Sequence, residues 1–94
     1  MATFAVICTM SDDAQLVDEV RPLHREYLEK LDADGKLRGA GPWVEGGGGL
    51  LLYEVEDGVE LQKLIDADPY IQRGAAVYDE VHEWKVVKGV LSRE

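Results

Sequence analysis

The sequence predicts an α+β domain of element order βαββαβ, a four-stranded antiparallel sheet carrying two helices on one face. Three observations point there. A strand-forming start, Thr3 to Met10, runs into a stretch whose apolar residues recur at helical spacing. Two further strand-like runs flank a glycine-rich connection between Trp43 and Gly49. A capped second helix then leads into a last strand-like run from Ala75 to Val87.

Taken in order, strand one ends at Ser11-Asp12-Asp13, whose short polar side chains suit a helix start. Leu16, Val20, Leu23, Tyr27 and Leu31 then paint one helical face. Pro22 interrupts that face, so the spacing predicts either a kink or a short helix followed by a main one from about Pro22 to Asp34. Gly35 supplies the stop. Leu37 to Ala40 reads as a brief second strand closed by Gly41-Pro42, and Gly46 to Gly49 as a flexible hairpin or flap leading into a third strand, Leu50 to Glu56. Asp57 with Glu60 three residues later is a capping-box pattern for a second helix ending near Ala67, where Asp68-Pro69 stops it. The last strand is expected to extend, or to bend near His82-Glu83 into a C-terminal arm.

Residues 1–94 fit a single domain. At this length only about 60–65% of the unfolded chain's surface is buried on folding, so an isolated subunit is marginal. One sheet face lacks a cover, and the economical cover is the sheet of a second copy, which makes a homodimer the expectation. The formal net charge of −9, from ten Lys and Arg against nineteen Asp and Glu, repels phosphate backbones and anionic lipid, so neither nucleic acid nor a membrane surface is an expected partner. No apolar run approaches the roughly 20 residues that span a bilayer, and the start reads as a strand and not as a secretion signal; the expected compartment is the cytoplasm. The lone Cys8 among apolar neighbours is expected to be a buried structural thiol. Two histidines and one cysteine at scattered positions lack the ligand spacings of a metal centre. The four glycines are a poor phosphate cradle, because a strand and not a helix follows them.

Polar and turn residues that an amphipathic pattern does not ask for stand out against this background: His24 on the first helix, Gly41-Pro42 after the second strand, and Asp68-Pro69-Tyr70 after the second helix. An imidazole and a carboxylate 44 positions apart could meet across one small core, and a carboxylate partner tunes a histidine for proton transfer near neutral pH. Each has a plainer reading. A histidine at a helix edge is often a partly buried side chain with a satisfied hydrogen bond, and Asp before Pro commonly shapes a turn. His82, among acidic residues on the last strand, reads as surface. Trp43 and Trp84 read as packing or dimer-contact residues, although Trp43 follows Gly41-Pro42 and could line a pocket mouth.

His24 within Leu23-His24-Arg25-Glu26-Tyr27-Leu28, then Gly35-Lys36-Leu37-Arg38-Gly39-Ala40-Gly41-Pro42, then Asp68-Pro69-Tyr70, in this order and spacing, resembles the YciI-like (YCII-related) family from Phe4 to about Val87. The Gly46–Gly49 run is richer in glycine than that pattern. The resemblance implies a ferredoxin-like subunit, dimerising in the manner of the dimeric α+β barrels, with His24 and Asp68 in a pocket as the active-site pair. Assigned activities in the family include dehydrochlorination of a chlorinated hydroxyhydroquinone, and muconolactone isomerases are structurally related.

Together these readings lead to a small enzyme needing no cofactor, with His24 as general acid or base and Asp68 fixing its tautomer. Elimination, dehydrochlorination or isomerisation of a compact aromatic or lactone-like molecule suits such a pair. Gly41, Pro42, Trp43, Pro69 and Tyr70 are the candidate substrate contacts. The alternative is a non-catalytic dimeric module that binds a small ligand or serves a partner enzyme.

Overall fold

A computed structural model describes residues 1–93. Its strands are β1 (Ala2–Met10), β2 (Leu37–Pro42), β3 (Gly48–Val55) and β4 (Ala76–Glu83), and its helices α1 (Ala14–Ala33), α2 (Gly58–Asp66) and α3 (Pro69–Gln72), with a 3₁₀ turn at Val90–Arg93. The sheet is antiparallel throughout in the order β2-β3-β1-β4, with the helices on one side, so the ferredoxin-like α+β reading holds.

Alternation along the two central strands fixes the faces. Phe4, Val6 and Cys8 on β1 pair beside Tyr53, Leu51 and Gly49 on β3, and with Val55 these side chains form the buried floor under the helices. The intervening pairs, Ala5 with Leu52 and Ile7 with Leu50, turn the other way and are only half-buried. The α-helices pack on the first face and leave this second, apolar one to the other side of the sheet.

Helix α1 begins where the polar triplet sets it. Asp13 caps it by accepting from the Leu16 amide at 3.1 Å, and Ser11 Oγ accepts from the Asp13 amide. It ends in a Schellman arrangement in which Gly35, at φ +75°, lets the Lys36 amide reach the Leu31 carbonyl at 2.9 Å. Between these ends the helix is one piece of 20 residues with Pro22 inside it, so of the two expected alternatives the short helix followed by a separate main one does not hold. Pro22 and Asp18 both lie on the solvent side, so the carbonyl that loses its amide partner can bond to water. Packing of Val17, Val20, His24 and Leu31 on the sheet holds the rest. The buried stripe also corrects the apolar reading. Leu23 is 47% exposed, and His24, expected to be partly exposed, takes its place in the interior at 9%.

Three further boundaries move. Strand β2 does not close at Ala40: Gly41 and Pro42 pair with Leu50 and Gly49, which an edge strand tolerates because a proline there need not donate to a neighbour. Strand β3 starts earlier, at Gly48, so only Gly46 and Gly47, at φ +86° and +87°, belong to the turn. Strand β4 stops at Glu83, short of Val87, after one more bond from the Trp84 amide to the Thr3 carbonyl. Asp68-Pro69-Tyr70 is more than a stop signal. Asp68 is the N-cap of the short α3, accepting from the Tyr70 amide at 2.9 Å, with Pro69 at the first helical position where its missing donor costs nothing.

Glycines 48 and 49 are required by close approach. A Cβ on Gly48 would run into the Cys8 carbonyl, and one on Gly49 into the Gly41 carbonyl, both backbone atoms that cannot swing away. Gly48→Ala is therefore expected to destabilise the fold by about 1–3 kcal/mol through overpacking. Gly39→Ala, where a Cβ meets open space, should change stability little. Urea unfolding of the two variants checks this, and matching midpoints would contradict the tight β1–β3 contact.

Candidate active site

Three elements bring the polar residues together. His24 projects from the inward stripe of α1, Asp68 caps α3, and Tyr78 comes from β4. His24 Nδ1 lies 2.8 Å from Asp68 Oδ1, and the carboxylate is completely buried. The same Oδ1 accepts the Tyr70 amide, while Oδ2 accepts the Tyr78 hydroxyl at 2.7 Å. Three donors thus converge on one enclosed carboxylate, which is what a buried charge requires. The turn-shaping and site readings of Asp68 describe the same atoms. Tyr70 adds a second constraint by stacking on the His24 ring, with centroids 3.8 Å apart and planes 10° from parallel.

This geometry fixes the histidine chemically. An ionised carboxylate can only accept, so Nδ1 carries the proton and the lone pair of a neutral ring sits on Nε2. Nε2 has no protein partner among the described residues, and His24 lines a cavity of about 430 Å³, within the range that holds a small organic molecule. α1 forms one wall of the cavity with Val17, Arg21, His24, Arg25 and Leu28. The opposite wall is the β2–β3 hairpin, from Ala40 to Pro42 and from Gly46 to Leu51. Cys8, Met10, Tyr70 and Tyr78 line the remainder.

Of the sequence-predicted residues, His24, Gly41, Pro42 and Tyr70 line this cavity, and Asp68 stands directly behind the histidine. Trp43 and Pro69 do not line it. Trp43 sits in the hairpin turn, 38% exposed, and Pro69 serves the start of α3. His82 is exposed and interacts with Glu80, as a surface residue does. The sequence reading missed Tyr78, Arg21 and Arg25. Tyr78 reaches Asp68 because the β1–β4 register slips between Ile7 and Thr9, a bulge that no residue pattern announced. The arginines were legible as neighbours of His24, Arg21 one helical turn before it and Arg25 directly after it, and their spacing of four was not used. Among the described residues no group of three or more His, Cys, Asp or Glu could hold a metal ion, and no helix is long and apolar enough to cross a membrane.

The floor beneath the site contains buried acids held neutral. Burial raises the Cys8 thiol, the Tyr53 phenol and the Tyr78 phenol above their ordinary values of 9.0, 10.0 and 10.0, and the Asp68 charge adds to each rise. The Tyr53 hydroxyl is enclosed without a well-formed hydrogen bond, since the nearby Tyr78 phenol gives its proton to Asp68. A group whose folded pKa is raised contributes stability that is full below the unfolded value and is lost as pH climbs toward the folded one. The melting temperature should therefore fall from about pH 9 upward. Tyr53→Phe removes one titrating group and an unpartnered hydroxyl, so it should melt no lower than the parent at pH 7 and lose less at pH 10.5. A steeper alkaline loss in the variant would contradict this.

A model of the YCII-related domain matches residues 2–85. Among curated proteins, the uncharacterised protein YjpA of Bacillus subtilis (strain 168) is 31% identical over 65 residues, 69% of this chain and 75% of that protein. Among solved structures, the fold is similar to that of a 5-chloro-2-hydroxyhydroquinone dehydrochlorinase, TftG, from Burkholderia phenoliruptrix AC1100, in complex with 2,5-dihydroxybenzoquinone. The TM-score is 0.76 at 24% identity, covering 88% of this chain and 93% of that one.

Proposed function

This chain belongs to the YCII-related domain family, and on that premise we propose that it is a small acid–base enzyme, self-sufficient in its own side chains, in which His24 moves the proton and Asp68 orients it. The observation that carries the reading is the direction of the imidazole. Nδ1 is committed to a buried carboxylate and Nε2 is left for the cavity. In an elimination, Nε2 takes a proton from carbon, the C–H electron pair becomes the new double bond, and the neighbouring C–Cl bond breaks to release chloride. In an isomerisation the same proton returns to a different carbon. Both pass through an imidazolium, which Asp68 stabilises at Nδ1 while the Tyr78 and Tyr70 donors hold the carboxylate in place. A positioned general base of this kind contributes about 10²–10⁴-fold.

The apolar side of the cavity, with Met10, Leu28, Pro42 and Leu51, suits one planar ring or a lactone. The dehydrochlorinase relative acts on such a ring. Incubating the protein in D₂O with chlorinated hydroxyhydroquinones and hydroxylactones tests the reading through chloride release and carbon-bound deuterium. Ligands that bind without chloride release or exchange would favour the non-catalytic binding module instead.

The assembly proposed with this function is a homodimer built on the sheet face opposite the helices, where Ala5, Ile7, Leu50 and Leu52 form a half-buried apolar centre. Sedimentation at micromolar concentration should give a particle of two 10.4 kDa chains. A single-chain mass would refute the dimer and leave the site reading standing.

A further inference from the structure

The charge of the cavity differs in sign from that of the chain. Of 94 residues 19 are acidic, yet no carboxylate lines the cavity, while Arg21 and Arg25 both do. Asp68, behind His24, is sealed from it and saturated by its three donors. Arg21 and Arg25 are four residues apart on α1 and so lie one above the other on one stripe, beside the stripe that carries His24. They differ in what already holds them. Arg21 is fixed by Asp18 at 2.8 Å and interacts with the Tyr70 phenol, whereas Arg25 makes no ion pair among the described residues.

We propose that Arg25, assisted by Arg21, is the subsite for an anionic oxygen, so that the substrate is a compact planar acid whose carboxylate or ionised enol is conjugated to the carbon that loses its proton. The inference rests on the reading of this cavity as a substrate site and narrows its substrate class. Its chemistry is consistent with the position of the base. When Nε2 removes a proton from carbon, the electron pair left behind spreads onto a conjugated oxygen, and a guanidinium within the same small space stabilises that charge. Arg25 presents N–H donors for it, while Arg21, committed to Asp18, lines the same wall without competing for that anion. A neutral lactone or an alcohol would leave this charge unanswered.

Salicylate and salicylamide, of nearly equal shape, the first an anion and the second neutral at pH 7, are the probes, titrated against the protein by NMR in the parent and in His24→Asn. The second background removes the base, so binding is read whether or not the protein turns anything over. Salicylate should bind at least about tenfold more tightly than salicylamide, the effect of one well-placed charge-assisted contact. Arg25→Gln should bring the two affinities together and Arg25→Lys should restore part of the gap. Lys30→Gln, which removes an equal charge from α1 away from the cavity, should leave the preference unchanged. Equal binding of the two probes, binding of neither, or an equal loss in Arg25→Gln and Lys30→Gln would each overturn the assignment. Deuterium exchange into neutral lactones with no preference for salicylate would overturn the anionic substrate class while sparing the acid–base reading.

Discussion

Asp68→Ala should destabilise the protein by about 3–5 kcal/mol, because it strips three enclosed donors of their common acceptor. The size follows from what the carboxylate holds. Its two oxygens accept from His24 Nδ1, the Tyr70 amide and the Tyr78 hydroxyl, all within 2.9 Å, and the residue has no exposed surface. Alanine leaves those donors enclosed and unpaired, each at a cost of about 1–3 kcal/mol before relaxation, and also removes the cap of α3. For a domain whose whole stability is about 5–15 kcal/mol, that loss is visible in any urea titration. Asp68→Asn should be much milder. Its amide oxygen can still accept from His24 and the Tyr70 amide, and the Tyr78 hydroxyl can reverse to accept from the amide nitrogen. If alanine and asparagine unfold at the same urea concentration as the parent, the carboxylate is not the node that its contacts suggest.

The fold was legible because its elements are marked by local chemistry. Asp13 and Gly35 bound α1, Asp57 opens α2, and the strand-forming run from Thr3 becomes the central β1. The boundaries that moved depend on neighbours that a linear pattern does not contain. Pro22 is tolerated because its side of α1 faces water, and Pro42 because β2 is an edge. Gly48 and Gly49 look like loop residues in isolation. In the sheet they are strand residues that must lack a side chain because two backbones press on them.

The site was legible in part for a related reason. His24 and Asp68 stood out as polar residues with no role in a packing pattern, and their meeting across 44 positions needs only that α1 and α3 lie side by side. The phase of α1 was misread by one residue: taking Leu23 as interior left His24 at the edge, whereas the helix exposes the leucine and buries the imidazole. Exposing an apolar side chain to enclose a polar one runs against the hydrophobic preference, and such inversions are expected where function outweighs packing. Tyr78 could not be placed without the β1–β4 bulge.

His24→Asn should lower the rate of any proton transfer this protein catalyses by about 10²–10⁴-fold while leaving it folded. Asparagine's amide nitrogen sits near the position of Nδ1, so it can still donate to Asp68 and spare the carboxylate the cost of losing a partner. What disappears is the proton acceptor at Nε2, on the one residue of the pair that lines the cavity. Asp68→Asn should produce a loss of similar order by a different route. An amide can present either its oxygen or its nitrogen to Nδ1, so it no longer dictates the tautomer, and it cannot stabilise the imidazolium. Because both changes disable one unit, the double variant should be no slower than the worse single variant. The measurement is deuterium exchange or chloride release on whichever compound the screen identifies, with the melting temperature of each variant recorded beside it. A His24→Asn protein as active as its parent would exclude the imidazole as the base. Losses that multiply in the double variant would mean that the two residues act separately, and the dyad would have to be given up even if each residue matters.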